Sequence, residues 1–77
     1  MSEEQILEAF GRKLNSLRIE RKLSQEKIAE LAQLDRTYIS SVERGRRNIS
    51  LLNIYKLATA LDVSPDSLLA NLGDYNE

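Results

Sequence analysis

Apolar residues recur along this chain at the three-and-four spacing of helices, in blocks punctuated by Ser, Asp, Gly and Pro. In the first block Ile6, Phe10, Leu14 and Leu17 fall on one stripe, which predicts a helix over residues 3–21. Ser24 has the character of an N-cap, its hydroxyl accepting from free backbone N–H groups of a helix over 25–32 with Ile28, Leu31 and Ala32 turned inward. Glu26 suits the positive end of that helix's dipole. Asp35 reads as the next N-cap, opening a helix over 36–44 held by Ile39 and Val42, and Gly45 can take the positive φ that stops it. Ser50 caps a fourth helix to about residue 61, with Ile54, Leu57, Ala58 and Leu61 inside. Ser64-Pro65 then predicts a fifth helix ending near Gly73, because proline at the first helical position loses no hydrogen bond. Residues 74–77 read as a frayed tail. No stretch alternates in the period of a strand, so the expected fold is all-α, a compact five-helix bundle in one domain over residues 1–77.

The second and third helices are short and joined by a three-residue turn. That spacing fits a helix-turn-helix over about residues 25–44, whose second helix lies in a major groove of DNA. Ala29 is small where the two helices must cross, and Leu34, Ile39 and Val42 pin the second to the core. Its other face is polar: Arg36, Thr37, Ser40, Ser41 and Arg44, side chains that reach base edges and phosphates. The same spacing also fits a plain helical hairpin with a solvated face.

Charge distribution changes the picture more than net charge does. The formal net charge is −1, yet all eleven bases lie between Arg12 and Lys56, a segment of net +6 between acidic ends of −3 and −4. A basic centre between acidic ends suits a polyanion facing one surface. The absence of histidine and cysteine removes the commonest acid–base group, the commonest metal ligand and the best nucleophile, so neither an enzyme, a cofactor nor a metal is expected. No apolar run approaches the roughly 18–20 residues of a membrane span, so no membrane partner is expected and the cytoplasm is the default location.

The stretch from Leu23-Ser24-Gln25 to Ala29, followed by Leu34-Asp35-Arg36-Thr37-Tyr38-Ile39-Ser40-Ser41-Val42-Glu43-Arg44-Gly45, resembles the Cro and phage-repressor (Xre-type) class of helix-turn-helix proteins, with its lambda-repressor-like DNA-binding domain. The continuation Arg46-Arg47-Asn48-Ile49-Ser50-Leu51 is most similar to controller proteins of restriction–modification systems. The resemblance covers about residues 11–70. It implies a transcriptional regulator that binds palindromic double-stranded operators as a homodimer and autoregulates its own promoter as activator and repressor. It implies that Gln25 binds a phosphate, that Arg36, Thr37 and Ser41 face bases, with Ser40 also among the DNA-binding residues, and that Arg46, Arg47 and Asn48 sit on the backbone beside the groove. Tyr38 is a phosphate ligand, a contact to a deformed base step, or a half-buried aromatic at the helix edge. The resemblance also implies an ion pair between Arg18 and Glu43. The chain departs from the family at Lys22 and Gln33, where glycine is usual and a left-handed backbone is required.

Two further expectations concern partners. Leu51, Leu52, Tyr55, Leu68, Leu69 and Leu72 exceed what one small core needs, which predicts a dimer built on residues 51–72 with Leu52, Tyr55, Leu68 and Leu72 as contacts. Glu26 and Glu30 share a helix face and are either a dipole-supporting acid and an ordinary solvated one, or an acidic contact for RNA polymerase, since phage repressors that activate carry acids at matching positions. The competing readings are a phage- or operon-type repressor and an antitoxin-like module for binding another protein.

Overall fold

The computed structural model describes the backbone of residues 1–75 and the side chains through Gly73. Four α-helices, α1 (Glu3–Glu20), α2 (Gln25–Ala32), α3 (Arg36–Glu43) and α4 (Leu51–Leu61), are followed by 3-10 turns over Pro65–Leu68 and Leu72–Tyr75. The fold among the described residues is all-helical, but the fifth helix is replaced by those two turns. Asn71, at φ 57°, takes the left-handed conformation between them and breaks the helical path. The tail expected to fray at residue 74 begins inside the second turn and otherwise lies outside the described residues.

Each α-helix starts on a residue that can satisfy free N–H groups. Ser2 and Gln5 form a reciprocal capping box at α1. Ser24 Oγ accepts from the Lys27 N–H at 2.9 Å, and Ser50 Oγ from the Asn53 N–H at 3.1 Å. Asp35 occupies the N-cap of α3 with an extended backbone but makes no side-chain cap bond.

All four α-helices end alike, α3 on Gly45 and the other three on a residue that is not glycine. Lys22, Gln33 and Asp62 stand at φ 58°, 59° and 58°, and the residue after each donates its N–H five residues back, Leu23 to Arg18, Leu34 to Ala29 and Val63 to Ala58. A left-handed L-residue costs roughly 1–2 kcal/mol. Glycine removes that cost but loses more entropy on folding, taking back about 0.4–1 kcal/mol. Gln33→Gly should therefore stabilise the fold by about 0.5–1 kcal/mol, raising the midpoint of thermal unfolding by several degrees. A lowered midpoint would show that the Gln33 side chain contributes more than its backbone costs.

The core gathers Phe10 and Leu14 from α1, Ile28, Ala29 and Ala32 from α2, Ile39 and Val42 from α3, and Ile54, Leu57, Ala58 and Leu61 from α4. Leu68 closes it with no exposed surface. Two residues of the expected stripes lie outside. Ile6 is exposed in the first turn of α1, beside Glu3, Leu7 and Asn48. Leu31 is 48% exposed because it lies at the rim of the open groove between α2 and α4, which α4 does not close over it. Ala9 and Gly11 are buried in α1 instead, and Gly11 lies where α3 approaches. A Cβ on Gly11 would stand 2.5 Å from the carbonyl oxygens of Val42 and Glu43. Among the described residues no helix is long and apolar enough to cross a membrane.

Candidate nucleic-acid interface

The turn Gln33–Asp35 sets α3 across α2, with Ala29 beneath the crossing at 5% exposure. Ile39 and Val42 face inward, so helical geometry turns Arg36 and Thr37 to solvent and leaves Ser40 and Ser41 half-buried. Gly45, at φ +74°, ends the helix and passes so close to α1 that an added Cβ would meet Glu8 at 2.8 Å. The chain then runs through Arg46, Arg47 and Asn48, all exposed, beside the C-terminal end of α3. The Arg46 N–H returns to the Ser41 carbonyl at 2.9 Å, which fixes the start of this basic loop against α3.

Several of these side chains are already engaged. Arg44 Nη1 donates to Ser40 Oγ at 2.6 Å. Tyr38 is half-buried at the edge of α3; its hydroxyl accepts from Asn53 Nδ2 at 3.1 Å, and the Arg47 guanidinium lies 5.0 Å from its ring centroid. Gln25, half-buried at the first position of α2, donates through Nε2 to Glu43 Oε1 at 3.1 Å.

That last bond belongs to a clamp around Glu43. Arg18 Nε stands 2.6 Å from Glu43 Oε2, and Arg18 Nη2 and Asn15 Nδ2 both reach Oε1 at 3.0 Å. Arg18 Nη1 also donates to the Leu23 carbonyl at 2.8 Å. One carboxylate thus ties α1, the start of α2 and the end of α3, and Arg18 extends the clamp to the α1–α2 connection. Burial disfavours its charge, but the hydrogen bonds from Arg18, Asn15 and Gln25, with the Arg18 charge, outweigh burial and hold the Glu43 carboxyl below its ordinary range. The same bond from Glu43 raises Arg18, against the smaller opposing effect of burial.

Asn15 and Asn53 are participants that sequence reasoning missed. Asn15 had a signal, lying three residues before Arg18 and so on the same face of α1. Asn53 had none, because its partner comes from another helix.

The outward face of α4 carries exposed Leu51, Leu52 and Tyr55 beside Lys56 and Thr59. Leu52 and Tyr55 are 74% and 54% exposed and, with Leu31, line a shallow groove of about 410 Å³ between α2 and α4. Leu68, expected at a dimer contact, is corrected to a core residue: the Pro65–Leu68 turn folds it under α4 and leaves it no surface for a partner. Leu72 is half-buried. Glu26 and Glu30 are both exposed on α2, and Lys27 Nζ lies 3.0 Å from Glu30 Oε1.

An exposed polar helix set across a second one, with a basic loop at its end, is the architecture of a helix-turn-helix regulator. Residues 14–68 match the family described as Helix-turn-helix. The chain is 51% identical over 61 residues to control protein C.BamHI of Bacillus amyloliquefaciens, covering 78% of this chain and 75% of that one. It is similar to the restriction-modification controller protein C.AhdI from Aeromonas hydrophila at TM-score 0.80 and 56% identity, over 80% of this chain and 94% of that one. The controller protein C.Esp1396I, solved as a tetramer in complex with its natural 35 base-pair operator, matches at TM-score 0.80 and 30% identity over 91% and 92% of the two chains. The chain belongs to the helix-turn-helix family, and its relatives there include control proteins of restriction–modification systems.

Proposed function

We propose that this protein is a sequence-specific DNA-binding transcription regulator of the restriction–modification controller type, acting as a homodimer on a palindromic operator at its own promoter and so working in the cytoplasm. The observation that carries this reading is the exposed surface of α3 with Arg36 and Thr37, continuous with the basic loop Arg46–Arg47–Asn48. In this reading Arg36 and Thr37 read base edges, Ser40 and Ser41 line the groove, and Arg46, Arg47, Asn48 and Gln25 hold phosphates. The groove of Leu31, Leu52 and Tyr55 is the surface assigned to the second copy. The recognition helices then stand about 34 Å apart, one turn of DNA. The relative solved as a tetramer on its operator supports both DNA and self-association as the partners.

Electrophoretic mobility shift against the DNA just upstream of the protein's own gene is the test, with sedimentation at the same protein concentration. Binding by the protein alone, as a dimer, is expected. Failure to bind there would favour a module for another protein. Arg36→Ala should lower operator affinity by about 1–3 kcal/mol and relax discrimination at one base step per half-site. Arg47→Ala should weaken every duplex alike and flatten the salt dependence. If Arg36→Ala lost affinity equally for all duplexes, its assignment as a base reader would fail.

Glu26 and Glu30 give a second element to this reading. They are exposed one helical turn apart on α2, whose first residue, Gln25, is assigned in this reading to the DNA backbone. There they form a contact for RNA polymerase at an adjacent promoter. Replacing both with glutamine should leave operator affinity intact and abolish activation of the promoter. Undiminished activation would reduce them to ordinary solvated acids.

A further inference from the structure

Asn53 belongs to α4, outside the helix-turn-helix, and yet its side chain ends on the polar face of the recognition element. Its backbone N–H is held by Ser50 Oγ at 3.1 Å, so the cap that starts α4 also fixes where the Asn53 side chain begins. From there Nδ2 donates to the Tyr38 hydroxyl at 3.1 Å in a half-buried setting. The Tyr38 ring packs against the core along one side, and the Arg47 guanidinium lies 5.0 Å from its centroid. Tyr38 is therefore held at its ring by the core and at its hydroxyl by α4.

A phenol hydroxyl has one proton to give and lone pairs to accept with. Asn53 supplies a donor, so the hydroxyl is used as an acceptor on the protein side and its proton is left to donate. We propose that Asn53 is a positioning residue for DNA recognition, fixing the Tyr38 hydroxyl so that it donates to a hydrogen-bond acceptor on the operator. This rests on the reading of the α3 surface as the DNA interface. The polarity follows from the chemistry of the pair. An amide N–H turned to the phenol leaves the Tyr38 proton for an acceptor on a base edge, such as the purine N7 position, since a phosphate would be met alike on every duplex. An acid at position 53 would reverse it, because a carboxylate only accepts and would draw the phenol proton inward.

The test compares affinity for the operator with affinity for an unrelated duplex of equal length at one salt concentration. Wild-type protein without operator preference would sink the functional reading itself, and is checked first. Given that preference, Tyr38→Phe and Asn53→Ala should each reduce it about three- to tenfold, the worth of one hydrogen bond. The double variant should lose no more than either single one, since both remove the same contact. Binding of Asn53→Ala to the unrelated duplex should be unchanged, a readout that a merely structural role at the start of α4 would not spare. Asn53→Asp keeps the size of the side chain and suits the first turn of a helix, so it tests the idea even if the alanine variant folds poorly. It should lose at least as much preference as Asn53→Ala, the ratio of affinities cancelling the general repulsion of its charge. Full preference in Asn53→Asp, or additive losses in the double variant, would overturn the proposal.

Discussion

Glu43→Ala is expected to lower folding stability by about 3–5 kcal/mol, because it leaves the Arg18 guanidinium without its buried partner. The side chains of Arg18 and Glu43 are only 12% and 6% exposed, so this pair is not screened as a surface pair is. Asn15 and Gln25 lose their acceptor in the same change. A domain of this size has net stability on the order of 5–10 kcal/mol, so the variant should stand near the edge of unfolding. Chemical denaturation measures the loss directly. A drop below about 1 kcal/mol would place the pair with ordinary surface salt bridges, and the clamp would not be what holds α3 to α1.

The same carboxylate makes a pH prediction with a definite sign. The Glu43 pKa is lowered in the folded protein, so unfolding raises it toward the ordinary glutamate value of about 4.3. Its contribution is therefore present in full above about pH 4.3 and is lost as pH falls through the lower folded-state value. Glu43→Gln should flatten this acid limb of the stability curve while lowering stability at neutral pH.

Much of this could be read from the sequence because the information is local. Ser24 and Ser50 cap helices whose first residues are bounded by backbone chemistry, and α2 begins and ends where cap and periodicity place it. The left-handed turns at Lys22 and Gln33 follow from the family pattern that puts glycine there. What escaped depends on partners distant in the chain. Leu31 reads as a residue of an inward stripe and Leu68 as a surplus leucine for a partner, and only the packing around α4 decides that the first is outside and the second inside. The segment after Pro65 has the start of a helix and no signal for the left-handed Asn71 that divides it. The candidate DNA surface was legible as a set of residue types. Its internal ties, Asn53 to Tyr38 and Gln25 to Glu43, join residues that no spacing relates.

Gly11 carries the other large effect, and here local and tertiary preferences oppose each other. In the middle of an isolated helix alanine is favoured over glycine by about 0.8–1.0 kcal/mol, so helix propensity alone predicts that Gly11→Ala stabilises α1. The added Cβ, however, would stand 2.5 Å from the Val42 and Glu43 carbonyl oxygens and 2.8 Å from the Glu43 carbonyl carbon. All three are backbone atoms, so no rotamer change relieves the contact and α1 and α3 must move apart. Overpacking of this kind costs about 1–3 kcal/mol and at times more, which exceeds the propensity gain. The movement also falls on functional ground, since the displaced end of α3 holds Glu43 and leads into the basic loop at Arg46. Gly11→Ala should therefore lower the thermal midpoint and, at a temperature where the variant remains folded, weaken operator binding as well. The two losses separate the causes: a variant that is less stable but binds normally would mean that α1 yields and α3 stays in place. A raised midpoint would mean that helix propensity wins and that the crossing of α1 and α3 is looser than 2.5 Å implies.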